Sequence, residues 1–99
     1  MSFIEQYRSQ IVETMQKYDV EKAFAFGSAV KDSMSVNSDV DLVIKFKDEL
    51  DFVSYADNYF ALANKLEQIL NKPVDLITER TLKNPYLLQN INSHMVKLI

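Results

Sequence analysis

The chain has 99 residues, 47% of them hydrophobic and 25% charged, with no Cys and a formal charge of −3 from 14 acidic and 11 basic side chains. That composition fits one globular domain, large enough to bury roughly two thirds of its unfolded surface, and it excludes a disulfide framework and thiolate metal sites. The Lys and Arg are scattered, which argues against a nucleic-acid footprint built on clustered positive charge; no apolar run is long enough to span a bilayer, and the N-terminus lacks the basic-then-apolar pattern of a secretory signal, so the expected compartment is the cytoplasm.

From Ser2 to Tyr18, apolar residues at Ile4, Tyr7, Ile11, Met15 and Tyr18 recur at three- and four-residue steps, which predicts an amphipathic helix with Ser2 as its cap. The run "VEKAFAF", Val20 to Phe26, reads as a strand buried on both faces, and Gly27 ends it. Residues 28–31 suit a short helix, and "DSMSVNS" is rich in turn formers. In "DVDLVIKF" the alternation places Val40, Leu42, Ile44 and Phe46 on one face of a strand and Asp39, Asp41, Val43 and Lys45 on the other. A long helix follows from Asp51 to Leu70, with Phe52, Tyr55, Ala56, Tyr59, Leu62 and Leu66 among its apolar positions, and Asn71 and Pro73 stop it. "PVDLIT" is a third strand with Asp75 facing away from Val74 and Leu76. Asn84 and Pro85 are good first residues for a short helix to Asn92, and the tail "HMVKLI" suits an edge strand. Strands alternating with helices predict an α/β fold: a small mixed sheet with helices packed on it.

Asp39 and Asp41 alone are weak evidence, since the spacing arises by chance in a chain with this many acids. Their placement carries more. Two carboxylates on one face at the start of a core strand repel each other and resist joint ionisation unless a cation sits between them. All-oxygen ligands suit Mg²⁺, which takes one or two carboxylates and completes its shell with water and substrate phosphates. Asp75, in the next core strand, joins them if the two strands are neighbours. Gly27 and Ser28 supply the complementary half: a glycine at a strand-to-helix junction lets backbone approach a phosphate, and a helix start offers free N–H groups.

The combination of strand, Gly-Ser, ten residues, Asp-x-Asp and a later strand with one more Asp, in "GSAVKDSMSVNSDVDL" and "NKPVDLIT", resembles the nucleotidyltransferase superfamily typified by DNA polymerase beta. Within it, the chain is similar to the minimal nucleotidyltransferases, which are often paired with a HEPN-domain toxin. The resemblance covers nearly the whole chain and implies a single nucleotidyltransferase-like domain over residues 1–99. It implies that Gly27 and Ser28 grip the β- and γ-phosphates of ATP, with Lys31 adding a phosphate contact. Asp39 and Asp41 would hold one Mg²⁺, and together with Asp75 a second that activates the acceptor hydroxyl. The sequence departs from many relatives at Lys31 and Asp32, where an Arg-Gly pair is common. Lys31 lacks the Arg fork, and Asp32 adds negative charge near a phosphate site.

The only histidine, His94, has no evident carboxylate partner and reads as a turn residue. Tyr55, Tyr59 and Phe60 read as helix core or partner-facing surface rather than a base-stacking platform, and Tyr86, Leu87 and Leu88 as an apolar run for packing or an interface. Lys45 either neutralises the aspartates or extends to solvent. A module of this size would borrow surface from a partner or from its own dimer. The function the resemblance implies is transfer of AMP from ATP to a protein hydroxyl, a Tyr of a HEPN toxin, making the chain an antitoxin; an antibiotic hydroxyl would call for an added substrate domain. Two rival readings remain: an antitoxin that masks its partner with a vestigial nucleotide site, and a nucleotide-sensing regulator.

Overall fold

A computed structural model describes residues 3–26, 39–78 and 95–99. Its elements run α1 (Phe3–Lys17), β1 (Val20–Phe26), β2 (Val40–Phe46), α2 (Phe52–Leu70), β3 (Val74–Thr78) and β4 (Val96–Lys97). The strands form one mixed sheet in the order β3-β2-β1-β4. β1 is antiparallel to β2 and to β4, while β2 and β3 run parallel, joined by α2 as the crossover.

Each element follows from local chemistry. α1 buries Ile4, Ile11 and Met15 along one stripe. It ends where Asp19 takes φ 68°, a left-handed conformation that Asp tolerates, and the chain reverses into β1. α2 starts at Asp51, whose carboxylate accepts a 2.7 Å hydrogen bond from the Ser54 N–H, and stops at Asn71, which is left-handed at φ 53° with its N–H donating to the Glu67 carbonyl. Leu62, Leu66 and Leu70 point from α2 into the core, each contributing about 1.5–3 kcal/mol by leaving water. They meet Val40, Leu42, Ile44 and Phe46 of β2 and Ala23 and Ala25 of β1 in one cluster. Tyr55 packs edge-on against Phe46 at 5.0 Å between ring centroids. The Asn58 side-chain amide donates to the Tyr18 carbonyl, tying α2 to the turn after α1.

Both edges of the sheet are occupied. On the β3 side, the Val40 N–H donates to the Pro73 carbonyl, and the parallel register then turns the backbone groups of Val74 and Leu76 away from β2. Two side chains of α2 meet them: the Glu67 carboxylate accepts from the Val74 N–H, and the Tyr59 hydroxyl donates to the Leu76 carbonyl at 2.6 Å. These contacts blunt an edge that would otherwise invite strand addition. On the other side, β4 pairs Val96 with Ala25 and Lys97 with Phe24, Leu98 is buried, and the Arg8 guanidinium donates to the Lys97 carbonyl.

The structure differs from the expectation at three points. β1 is buried on one face only: Ala23 and Ala25 are covered, Phe24 and Phe26 are half-buried, and Glu21 and Lys22 are exposed. The bulge between Val20 and Lys22 accompanies that change of facing. Val43, placed by alternation on the aspartate face, is buried, so that face is covered at its middle. Phe52, assigned to the apolar stripe of α2, is 82% exposed, because the helix begins beyond the edge of the sheet that would cover it. The expected cap at Ser2, the short helix at 28–31, the loop after it, the helix from Asn84 to Asn92 with Tyr86, Leu87 and Leu88, and His94 lie outside the described residues.

Candidate active site

The site is built where β2 and β3 begin side by side. The hydrogen bond from Val40 N–H to the Pro73 carbonyl, 2.9 Å, fixes the start of the ladder and sets the register Val40 with Val74 and Asp41 with Asp75. Parallel neighbours lie about 4.8 Å apart, and paired residues share a face. Asp41 and Asp75 therefore stand next to each other on the face opposite the core. Asp39, two residues upstream on the same side, is exposed, as is Asp75, whereas Asp41 is half-buried. On the other flank, Phe26, the residue before Gly27, is the Cα partner of Asp41. Phe26, the last residue of β1, thus lies beside Asp41. Gly27, Ser28, Lys31 and Asp32 themselves lie outside the described residues.

The electrostatics are uneven. Burial pushes the Asp41 carboxyl above the ordinary aspartate range, and the charges of Asp75 and then Asp39 push it further in the same direction. At the opposite end of the same strand face, Lys45 is paired with Glu21 of β1 and, at 3.2 Å, with Asp48 in the following turn. Lys45 thus serves its own end of the strand and leaves the aspartates alone. These two partners hold the Lys45 ammonium above its ordinary range.

Among the described residues, no three acidic or imidazole side chains are gathered closely enough to make a metal cluster of their own. Mg²⁺ does not need one, because one or two carboxylates and several waters complete its shell when phosphates supply the rest. The donor set at Asp39, Asp41 and Asp75 is all oxygen and hard, with an Asp41 carboxyl raised above its ordinary range by burial and its acidic neighbours. In its chemistry it fits a hard dication.

A feature that the sequence assigned to packing adjoins this cluster. The Tyr59 hydroxyl, bonded to the Leu76 carbonyl, is held above the ordinary tyrosine range by burial first and then by the charge of Asp75. From Tyr59 an apolar groove of about 440 Å³ runs along α2 past Tyr55, Phe52 and Phe60. Its trace in the sequence was an excess of aromatic and apolar residues in the first nine positions of α2, wider than one buried stripe requires.

The family model described as polymerase beta, nucleotidyltransferase, matches residues 9–99. The chain belongs to the polymerase beta nucleotidyltransferase family. Among nucleotidyltransferases of this family, a Methanocaldococcus jannaschii protein provisionally named protein adenylyltransferase MJ1379 is 35% identical over 80 residues, covering 81% of this chain and 78% of its own. A chain of a crystal structure of a toxin-antitoxin with AMP-PNP superposes with a TM-score of 0.72 at 24% identity, over 93% of this chain and 72% of the other. A chain of the complex between a tri-AMPylated Shewanella oneidensis HEPN toxin and its MNT antitoxin gives a TM-score of 0.65 at 22% identity, over 96% and 71%. At these identities the two structures share the fold with this nucleotidyltransferase. No described helix is long and apolar enough to cross a membrane.

Proposed function

We propose that the chain is an Mg²⁺-dependent protein adenylyltransferase, acting as one domain over residues 1–99, that moves AMP from ATP to a hydroxyl of a partner protein. The observation that carries the reading is the register of Asp41 with Asp75, which sets two carboxylates side by side at the strand ends, with the charge of Asp39 near enough to act on Asp41. The membership in a nucleotidyltransferase family supports the reaction class, and the name of the Methanocaldococcus relative supports a protein acceptor. The AMPylated HEPN toxin found with an antitoxin of this fold supports a HEPN toxin as the partner; in this reading the acceptor is a Tyr hydroxyl and the transfer silences the toxin.

In this reading Gly27 and Ser28 hold the β- and γ-phosphates and Lys31 adds a cationic contact. Asp39 and Asp41 would hold one Mg²⁺, and Asp39, Asp41 and Asp75 a second; bound there, the metal supplies positive charge against the phosphates and lowers the pKa of the acceptor hydroxyl. The acceptor oxygen attacks the α-phosphorus, a P–O ester bond forms, the bond to the bridging oxygen breaks, and pyrophosphate leaves. In this reading the hydroxyl proton passes to the carboxylate of Asp75, which the strand register sets beside Asp41.

The test uses the protein encoded by the adjacent reading frame, with α-labelled ATP and Mg²⁺, and compares wild type with Asp39→Asn/Asp41→Asn. Label on the partner from wild type alone is the expected result. No label from either, with full neutralisation by the double variant, would instead make the chain a masking antitoxin.

A further inference from the structure

The N-terminal half of α2 is apolar over more of its circumference than its packing needs. Phe52, Val53 and Phe60 are 82%, 67% and 65% exposed. With a 100° step per residue they continue the arc begun by Tyr55, Tyr59 and Ala56, so that about 160° of the helix is apolar. The same arc in the C-terminal half carries Ala63, Leu66, Glu67 and Leu70, of which Leu66 and Leu70 are buried, so the surplus apolar surface is confined to the aromatic half. Between the aromatic half and the end of β3 lies the groove of about 440 Å³, which also takes in Leu76, the residue after Asp75.

The charge around this surface has one sign. From Asp48 to Asn64 the chain carries four carboxylates and no Lys or Arg. Lys45 engages Asp48, whereas Asp51 and Asp57 are exposed on either side of the aromatic arc. Phe52 and Phe60 stand about 12 Å apart along the helix, a longer span than one nucleobase covers. A triphosphate tail would also be repelled by the acidic rim.

We propose that this aromatic face of α2 is where the acceptor protein docks, and that the partner presents an apolar or aromatic anchor flanked by Lys or Arg side chains. Aromatic anchors in such a groove carry most of an interface's affinity, and the opposed rim charges speed encounter in a salt-dependent way. The groove meets the sheet at Leu76 and Thr78, on the core-facing side of β3 and towards the end away from the aspartates, so an anchor seated in it holds the partner at the β3 edge, from which its acceptor segment reaches round to the transfer site. The inference rests on the protein-acceptor reading and names the surface through which that acceptor is held.

The test measures calorimetric binding of the purified protein encoded by the adjacent reading frame to wild type, Phe52→Ser/Phe60→Ser, Asp57→Lys and Asp41→Asn. The expected result is a loss of affinity of about tenfold or more for the double Phe variant, with unchanged circular dichroism and unchanged binding of Mg²⁺ with AMP-PNP. Asp57→Lys weakens binding at low salt and loses that effect at high salt, and Asp41→Asn binds the partner as wild type does. A wild-type chain that does not bind, or a double Phe variant that binds equally well, overturns the proposal. So does a wild-type dimer that the Phe changes dissociate without altering partner affinity, since the face would then be a contact between copies. If wild type binds through Phe52 and Phe60 but transfers no AMP, the docking surface stands and the adenylyltransferase reading falls.

Discussion

The two ends of the outward face of β2 hold charge in opposite ways. At the Phe46 end, Lys45 lies between Glu21 and Asp48, and each charge has a partner. At the Val40 end, Asp39, Asp41 and Asp75 are all acidic side chains, and every cause acting on Asp41 pushes its carboxyl upward. One strand thus carries both a self-contained ion-pair group and an unbalanced one. The balanced end is complete as folded. At the unbalanced end ionisation of Asp41 is opposed by burial and by its acidic neighbours, and a bound cation would relieve that opposition.

The widest gap between the two ends should appear in activity. Asp39→Asn/Asp41→Asn lowers AMP transfer by about 100-fold or more, while Lys45→Met leaves the rate within about twofold; timed label transfer to the partner reads both. If Lys45→Met were as damaging, the charge at the far end would belong to the chemistry as well.

Next in size is the core that both ends share. Leu42→Ala, beneath Asp41 on the buried face, costs about 2–5 kcal/mol by removing contacts and leaving a cavity, measured by urea unfolding. It weakens both ends alike and so separates loss of scaffold from loss of site.

A smaller effect of opposite sign is expected at Asp41. Its carboxyl is raised in the folded chain, so the fold binds a proton more tightly than the unfolded chain does. The stability linked to it is full below the ordinary value of 3.8 and is lost as pH rises through the raised folded value. Asp41→Asn therefore melts higher than wild type at pH 7 without divalent cations, and the difference narrows towards pH 4.

The smallest effect is Lys45→Met on stability, a change of melting temperature within about 2 °C, because exposed pairs contribute little. A larger loss would mean that the balanced end also organises the β1–β2 pairing.

Much of this arrangement could be read from the residues. The alternation in "DVDLVIKF" and "PVDLIT" put each Asp on its correct face, and Asn71 and Pro73 marked the end of α2 within a residue. Whether Asp75 would meet Asp41 depended on strand order, which spacing does not encode; the parallel register supplies it. The partner of Lys45 was hidden for the same reason, since Glu21 comes from another strand across a bulge. Periodicity identified the apolar positions of α2 but not which lie beyond the sheet, so Phe52 was assigned to the core when it stands in solvent. The phosphate side of the site, at Gly27, Ser28 and Lys31, rests on sequence alone.

The central claim, that the unbalanced end is a seat for a metal-bound nucleotide, is tested most directly by thermal denaturation of wild type and Asp41→Asn, each with and without Mg²⁺ and AMP-PNP. The account predicts that wild type melts below the variant when bare and rises markedly with ligand, whereas the variant does not respond. Equal ligand-induced shifts in the two proteins would contradict it.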